Sequence, residues 1–377
     1  MRSLYVFFMG VWLVYAAALL YPDIERYIYQ NELLSLVGLM CAFHYYIAFR
    51  NVVSRIDVLY LIFLLYGSAL FISSLGDVVE AGWYLSLRTM PVFYNSWCFI
   101  LGLYVYNNFL RFHDLTIKSK KFYFLLGLSI VTPWGLSPQV FAMFFIRTYK
   151  YALGYLLIFN VVHGGATSLT ALLIVASFYA FENRAIFSRF FSLKLMLLYL
   201  ITFMLLLYIS AGMFNEFIEG GYVGLFAWDA NITWRYMFWV YLFQEVILNN
   251  PIFGIGFGVP LFDLDIIPEF ITTDDGSRNT GYTLGTHNSI VYLLARMGLM
   301  GVVLLGAIHV MIYKYAFGLY KNNRSPEILS LILVNLMFLN SMFFNVVLET
   351  PLYGGLYWCS LGILYGAVKK WSLMPHE

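Results

Sequence analysis

The amino-acid sequence predicts an all-α fold, a polytopic transmembrane helical bundle with about ten to twelve spans. Of its 377 residues, 62% are hydrophobic and only 11% are charged, whereas a soluble domain carries about a quarter charged residues. The mean hydropathy is +0.77. The third observation is that apolar runs of about 20 residues, the length that crosses a bilayer as a helix, recur along the chain.

The apolar runs give ten predicted spans. They lie near residues 4–21, 32–49, 57–75, 90–110, 122–146, 151–180, 195–213, 288–313, 328–347 and 352–368. The fifth run contains Pro133 and Pro138, so its helix is expected to end at about residue 136. Cys41, Cys98 and Cys359 all lie within apolar runs, and this spacing predicts neither a disulfide framework nor a metal site.

Basic residues alternate with the predicted spans. They concentrate near residues 50–55, 111–121, 184–194, 314–324 and 369–370. Cytoplasmic loops are enriched in Lys and Arg, so both termini are predicted to be cytoplasmic. The chain then divides into N-terminal membrane helices (1–213), one large external loop (214–287) and C-terminal membrane helices (288–377).

The external loop is acidic and begins with an aromatic helix. It holds nine of the chain's 20 acids but only two arginines, Arg235 and Arg278. Residues 231–250 (NITWRYMFWVYLFQEVILNN) predict an amphipathic helix at the membrane interface, with Trp234 beside Arg235. A guanidinium held there can bind a phosphate through two parallel hydrogen bonds or can snorkel to the interface. Arg278 can bind the same substrate or pair with the acids around it.

Three glycines at alternate positions follow this helix, in PIFGIGFGVP. Gly254, Gly256 and Gly258 disfavour a regular helix and permit tight turns. Their backbone N–H groups could cradle an anion, or the segment could be a purely structural re-entrant turn. The sequence alone leaves both interpretations open.

A histidine stands at the mouth of the next span, in THNSIVYLLARMGLMG. The ordinary pKa of a histidine side chain is near neutral pH, so His287 can accept a proton from a hydroxyl. Alternatively, it can cap the span as a hydrogen-bonding group. Arg296 lies nine residues further, about 13 Å into the span. There it is expected to donate to a phosphate or to pair with an acid such as Glu349.

The order of these motifs resembles that of the bacterial O-antigen polymerase and O-antigen ligase family. The motifs are the aromatic helix with an arginine, then NPIFGIGFG, a variable loop and THNSIVYLLARMGLMG. The resemblance covers residues 231–301 closely. It implies an inner-membrane enzyme with a periplasmic active site. It also implies metal-independent, inverting transfer of a glycan from undecaprenyl diphosphate to an acceptor, with no cofactor.

The resemblance also assigns site residues. Carried over by motif, Arg235 and His287 are the catalytic residues, and Arg147 matches a second external arginine ahead of the main loop. Trp234 and Asn288, beside the catalytic pair, are expected to contact the substrate. Further substrate-binding candidates are Arg278, Arg296, Gly254, Gly256 and Gly258.

Three functions are compatible with the sequence. A polymerase would extend a lipid-linked glycan, whereas a ligase would join the glycan to lipid A core. The acidic loop would repel a phosphate-rich core, which favours the polymerase. A transporter of lipid-linked sugars would be expected to carry charges deep in several spans. The expected partners are the undecaprenyl-diphosphate-linked oligosaccharide, an acceptor glycan and membrane lipid. A chain-length regulator protein is a further candidate partner, and no nucleic acid is expected.

Overall fold

The computed structural model describes residues 54–109, 230–262, 285–323, 326–343 and 345–372, with scattered helical positions between 157 and 209. These residues form nine α-helices and no strands, in agreement with the predicted all-α class. In chain order the helices are α1 Arg55–Ser73, α2 Leu75–Ala81, α3 Trp83–Thr89, α4 Pro91–Tyr94, α5 Cys98–Phe109, α6 Ala230–Leu242, α7 Ser289–Asn323, α8 Pro326–Met342 and α9 Pro351–Ser372. A 3-10 turn, Asn95–Trp97, joins α4 to α5, and a π-helical turn, Phe243–Ile247, extends α6.

Two helices in these ranges, α1 and α7, are long and apolar enough to cross a membrane. About ten such helices are predicted from the sequence, so the described part of the chain bears out only the coarser statement of apolar, membrane-length helices. The predicted spans at 4–21, 32–49, 122–136, 151–180 and 195–213 lie wholly or mostly outside the described residues.

The described helices correct several predicted boundaries. The run at 90–110 is divided into α4, which begins at Pro91, the 3-10 turn and α5. Helix α7 continues ten residues beyond the predicted end at 313 and contains a kink at Gly298, whose φ is 62° and ψ is −168°. Glycine alone adopts such angles without strain, so the kink lies where the backbone can tolerate it.

Helix α9 lies tightly against α5 because glycines remove side chains from the contact. A Cβ at Gly102 on α5 would overlap the carbonyl of Cys359, and one at Gly362 on α9 would overlap the carbonyl of Phe99. Small residues of this kind let helix backbones approach each other closely. Trp358, fully buried, fills the space between α9 and α1 with its ring 5.5 Å from that of Phe63.

Polar contacts tie the first turn of α1 to the last turns of α9. Ser54 and Asp57 form a capping box, in which each side chain accepts from the other residue's backbone N–H. Lys369 Nζ then donates to Asp57 Oδ2 at 2.8 Å, and Tyr365 donates to Asp57 Oδ1 at 2.7 Å. Arg55 and Lys369 therefore lie at one end of the bundle, while the starts of α7 and α9 meet at the other.

Candidate functional site

The turn Thr286–Ser289, which enters α7, has an unusual backbone. Among the described residues other than glycine, His287 alone has a positive φ, at 51°. Thr286, Asn288 and Ser289 are at most 1% exposed, whereas His287 is half-buried. A residue with a Cβ is uncommon in this left-handed conformation, although His adopts it more often than most. The turn therefore buries three side chains and leaves the imidazole of His287 only partly exposed.

Asn288 is the N-cap of α7. Its Oδ1 accepts from the backbone N–H groups of Ile290 at 3.0 Å and Val291 at 3.2 Å. An Asn cap of this kind satisfies donors that the first turn of a helix cannot pair. The sequence predicts a substrate contact for Asn288, but its placement gives it a structural task, and at 1% exposed it presents almost no surface.

Glu349, in the loop before α9, meets this turn from the opposite side. Ser289 Oγ donates to Glu349 Oε2 at 2.5 Å, and Thr286 Oγ1 lies 3.3 Å from Oε1. Burial raises the pKa of Glu349 to about 7, although the hydroxyls of Ser289 and Thr286 lower it in part. The carboxyl therefore keeps its proton to a higher pH than an exposed glutamate does.

Helix α6 brings Arg235 to the same turn. Trp239 Nε1 donates to the Thr286 carbonyl at 2.6 Å, and Arg235 lies four residues earlier, on the same face of the helix. Burial and the positive charge of Arg235 lower the pKa of His287 to about 4. The imidazole is consequently neutral at pH 7, with a ring nitrogen able to accept a proton. The structure thus brings together the two residues predicted to be catalytic.

Helix α6 is packed more deeply in the protein than an interfacial helix would be. Phe238 and Leu242 are fully buried, and Phe243 and Ile247 in the following turn are at most 2% exposed. Phe238 packs edge-on against Phe262, with ring centroids 5.6 Å apart. The second half of the segment therefore belongs to the protein core. The backbone of Trp234 lies in α6, and its side chain is outside the described atoms.

The glycine segment packs against the kink of α7 and forms hydrogen bonds with the backbone groups that the kink leaves unpaired. At the kink, Leu299 N donates to Pro251 O at 2.9 Å and Met300 N to Ile252 O at 3.1 Å. In return, the carbonyls of Ala295 and Arg296 accept from Ile255 N at 2.9 Å and Gly256 N at 3.0 Å. These four groups of α7 would pair with each other in an unbroken helix. The segment 251–258, which we call the glycine loop, is therefore a re-entrant element fitted to the broken helix.

Every backbone N–H from Gly254 to Gly258 has an acceptor within the protein. Besides those of Ile255 and Gly256, the remaining three donate to Asn250 O, Ser74 Oγ and Thr89 Oγ1. The three glycines have φ of 72°, 76° and 79°, and a Cβ at any of them would collide with neighbouring atoms. Of the two interpretations left open by the sequence, these hydrogen bonds favour the structural re-entrant turn over an anion cradle.

Arg296 reaches from α7 to the glycine loop and is fully buried. Its Nη1 donates to Val259 O at 2.5 Å and lies 3.4 Å from Gly256 O, and its guanidinium carbon lies 5.6 Å from the centre of the Tyr292 ring. Backbone carbonyl oxygens thus accept hydrogen bonds from the buried guanidinium, and the Arg296 side chain connects the glycine loop to α7. The predicted phosphate contact of Arg296 has no support in this placement.

The remaining predicted site residues lie outside the described residues. These are Arg147 and Arg278, and their substrate-binding roles stay predictions. Within the part that is described, no group of three or more His, Cys, Asp or Glu side chains could hold a metal ion.

Two residues near the site are not identified by the sequence. Glu349 is expected from the sequence only as a partner for Arg296, because nothing local links it to the turn at Thr286. Arg88, half-buried in α3, precedes Thr89, whose carbonyl accepts from Tyr292 of α7 at 3.1 Å. Burial lowers the pKa of Arg88 to about 10, an effect that Tyr94 partly offsets, so Arg88 stays charged at pH 7. An arginine in a predicted external loop is the signal that could have identified it.

Comparison of the whole chain with protein-family models finds no match. A search of curated proteins finds no match either. The resemblance to the O-antigen polymerase and ligase family therefore depends on the motifs of residues 231–301, and the function derived from it is a proposal.

Proposed function

We propose that this protein is an O-antigen polymerase: a metal-independent, inverting glycosyltransferase at the periplasmic face of the bacterial inner membrane. It would transfer a glycan from undecaprenyl diphosphate to an acceptor sugar. The observation that carries the proposal is the approach of Arg235 to His287, on two elements joined by the bond from Trp239 to the Thr286 carbonyl. This pairing of a phosphate-binding group with a neutral imidazole is what such a transfer needs.

The chemistry follows from the two groups. The acceptor hydroxyl attacks the anomeric carbon and its proton passes to His287, while the bond from that carbon to the diphosphate oxygen breaks. The electron pair leaves with the diphosphate, and Arg235 stabilises the growing negative charge through paired hydrogen bonds. A bound diphosphate also offsets the positive charge of Arg235. Because that charge lowers the pKa of His287, donor binding is expected to raise this pKa and make the imidazole a better base.

The membrane arrangement rests on the charge pattern and on the packing together. About ten spans are proposed, with both termini cytoplasmic. The contacts of Lys369 with Asp57 and of Ser289 with Glu349 support this arrangement, because they place the basic helix ends at Arg55 and Lys369 at one end and the candidate site at the other.

The choice of polymerase depends on the acceptor. The proposed external loop holds nine acids and two arginines. Such a surface repels a phosphorylated lipid A core and tolerates a sugar chain. Deletion in a strain with long O-chains separates the two reactions. A polymerase mutant should display lipopolysaccharide capped with a single repeat. Bare core, with long polymer left on undecaprenyl diphosphate, would instead identify a ligase.

The catalytic pair is tested by substitution in the full-length membrane protein. His287→Ala is expected to lower glycan transfer by roughly 100-fold or more, the usual contribution of a general base. Arg235→Ala is expected to lose about 100-fold or more, and Arg235→Lys to recover part of this, because an ammonium keeps the charge without the fork. Glu80→Gln, which changes an exposed acid of α2, is the matched control. Wild-type transfer in His287→Ala, or dependence on added Mg²⁺ after EDTA, would contradict the mechanism.

The orientation is tested by cysteine labelling in a variant from which Cys41, Cys98 and Cys359 have been removed. Asp77→Cys, on exposed α2, should react with an impermeant maleimide in cells whose outer membrane is permeabilised. Lys370→Cys, at the end of α9, should react only after the inner membrane is opened. Labelling in the reverse pattern would overturn the periplasmic placement of the site.

A further inference from the structure

The loop that carries Glu349 is held rigidly although the proposed chemistry does not use it. The backbone N–H groups of Val347 and Leu348 donate to Ser289 Oγ at 2.9 and 3.1 Å. On the other side, Asn95 Nδ2 donates to the carbonyls of Leu348 at 3.2 Å and Thr350 at 3.1 Å. Glu349 is thus fixed between α7 and the 3-10 turn, with its carboxyl against both hydroxyls that flank His287 in sequence.

The protons of these hydroxyls show which form of Glu349 fits. A hydroxyl donates one hydrogen and accepts two. Ser289 accepts from two backbone groups, and its proton goes to Glu349 Oε2, 2.5 Å away, rather than to the Asn345 carbonyl at 3.3 Å. Thr286 Oγ1 lies 2.7 Å from the Asn288 carbonyl and 3.3 Å from Glu349 Oε1, and both contacts compete for one proton. With that proton on the nearer carbonyl, Oε1 pairs with Thr286 only if Glu349 itself supplies a hydrogen.

We infer that Glu349 is a positioning residue that acts through His287. Its neutral carboxyl links Ser289 to Thr286 and thereby holds the left-handed turn that presents the imidazole towards Arg235. This inference depends on the proposed glycosyl transfer only because transfer is the activity that the tests measure. It assigns Glu349 no contact with substrate.

Burial of Glu349 favours a neutral side chain and raises its pKa to about 7, although the hydroxyls of Ser289 and Thr286 and the backbone N–H groups of Glu349 and Val347 lower it in part. Tyr292 of α7 interacts with Glu349 electrostatically, while Arg296 acts on Tyr292 and Arg235 acts on His287. Asn95, from the 3-10 turn, is neutral. As pH rises through about 7, Glu349 ionises and Thr286 must leave the Asn288 carbonyl to satisfy it, which loosens the turn.

Two substitutions at Glu349 test the inference. Gln has the shape of the neutral acid, and its amide can donate to Thr286 while its oxygen accepts from Ser289. Glu349→Gln is therefore expected to keep transfer within about 3-fold of wild type and to remove the decline of kcat above pH 7. Glu349→Ala is expected to lower kcat by about 10- to 100-fold with little change in KM, because a misplaced base slows the chemical step.

A double-mutant cycle identifies the route of the effect. If Glu349 acts through the turn, Ser289→Ala and Glu349→Ala disturb the same contact, so the double variant should be no slower than the slower single variant. Glu80→Gln, an exposed acid of α2, should leave kcat and its pH profile unchanged. Membrane yield and the apparent Tm of each variant show whether the protein has folded.

The outcomes separate this inference from the proposed function. Absence of glycan transfer in the wild-type protein, or full transfer in His287→Ala, would refute the proposed function. If the wild type transfers and His287→Ala does not, wild-type kcat in Glu349→Ala refutes the positioning role. Glu349→Gln as slow as Glu349→Ala refutes the neutral form. An additional observable needs no substrate: the His287 resonance in ¹³C-histidine protein should shift in Glu349→Ala and stay in place in Glu349→Gln.

Discussion

Replacing Gly254 by alanine should separate the glycine loop from the kink of α7. The new Cβ would lie 2.5 to 2.7 Å from backbone atoms of Ala295 and Arg296. Backbone atoms cannot move aside as a flexible side chain can, so the loop must shift by nearly 1 Å to restore ordinary van der Waals contact. That shift breaks the bonds from Ile255 N and Gly256 N to the two carbonyls, at 2.9 and 3.0 Å.

The cost of Gly254→Ala has two parts. An alanine at φ 72° is strained by about 1 to 2 kcal/mol. Each of the two buried hydrogen bonds left unmade costs about 1 to 3 kcal/mol. We therefore expect a loss of about 3 to 8 kcal/mol of stability. At roughly 2 °C per kcal/mol for a chain of this size, the apparent Tm should fall by about 6 to 16 °C.

The measurement is thermal unfolding of purified protein in detergent, at one scan rate for all variants, since membrane proteins commonly unfold irreversibly. Gly318→Ala is the matched control. Gly318 is exposed on α7, the helix that the glycine loop contacts, and a Cβ added there would meet no atom within 4 Å. This variant should gain up to about 1 kcal/mol from alanine's helix propensity. A Gly254→Ala protein that melts with the wild type would refute the account of the loop as a fitted re-entrant element.

Further outcomes follow from two single contacts and from two partly or fully buried titratable groups. Tyr66→Phe removes a hydroxyl that donates to the Met297 carbonyl of α7 at 2.7 Å and lies 3.1 Å from the Phe253 carbonyl of the glycine loop; the change should lower the apparent Tm by about 2 °C. Trp239→Phe removes the bond to Thr286 and should reduce transfer while Tm changes by only about 2 °C. An equally active protein would show that the bond does not place α6. The contribution of His287 to stability should fall as pH drops from 6.5 to about 4, because unfolded His287 gains a proton that the folded form resists. The contribution of Glu349 should fall as pH rises from 4.5 to about 7, because folded Glu349 keeps a proton that the unfolded chain loses. The two contributions have opposite slopes between pH 4.5 and 6.5, so variants are needed to separate them. Melting curves of the His287→Ala and Glu349→Gln variants should each lack one of these dependences.

Much of the local structure near the site could be predicted from the sequence. The predicted start of α7 agrees with the structure to within one residue, since an apolar run preceded by Asn288 combines a span with a good N-cap. The alternation of Gly254, Gly256 and Gly258 predicts a tight, non-helical segment, and all three glycines have positive φ. Patterns of this kind are readable because they depend on neighbouring residues and on the conformations that each residue type permits.

Boundaries and contacts between distant residues could be predicted less well. Nothing in the sequence indicates that α7 breaks at Gly298, because an isolated glycine is also tolerated within a straight helix. The break is stable because segment 251–258 supplies partners for the four backbone groups it frees. The helix from residue 230 is expected at the interface, but aromatic residues suit a buried face as well as a membrane surface.

By itself, then, the sequence determined the all-α class, the strongly apolar character and the residue types at the candidate site. Only the tertiary structure decided that Glu349 lies against Thr286 and Ser289, about 60 residues away in the chain. It also decided that the amides of the glycine loop are used within the protein. Composition and periodicity record what each segment prefers locally, whereas a hydrogen bond between distant segments exists only once packing has brought its donor and acceptor together.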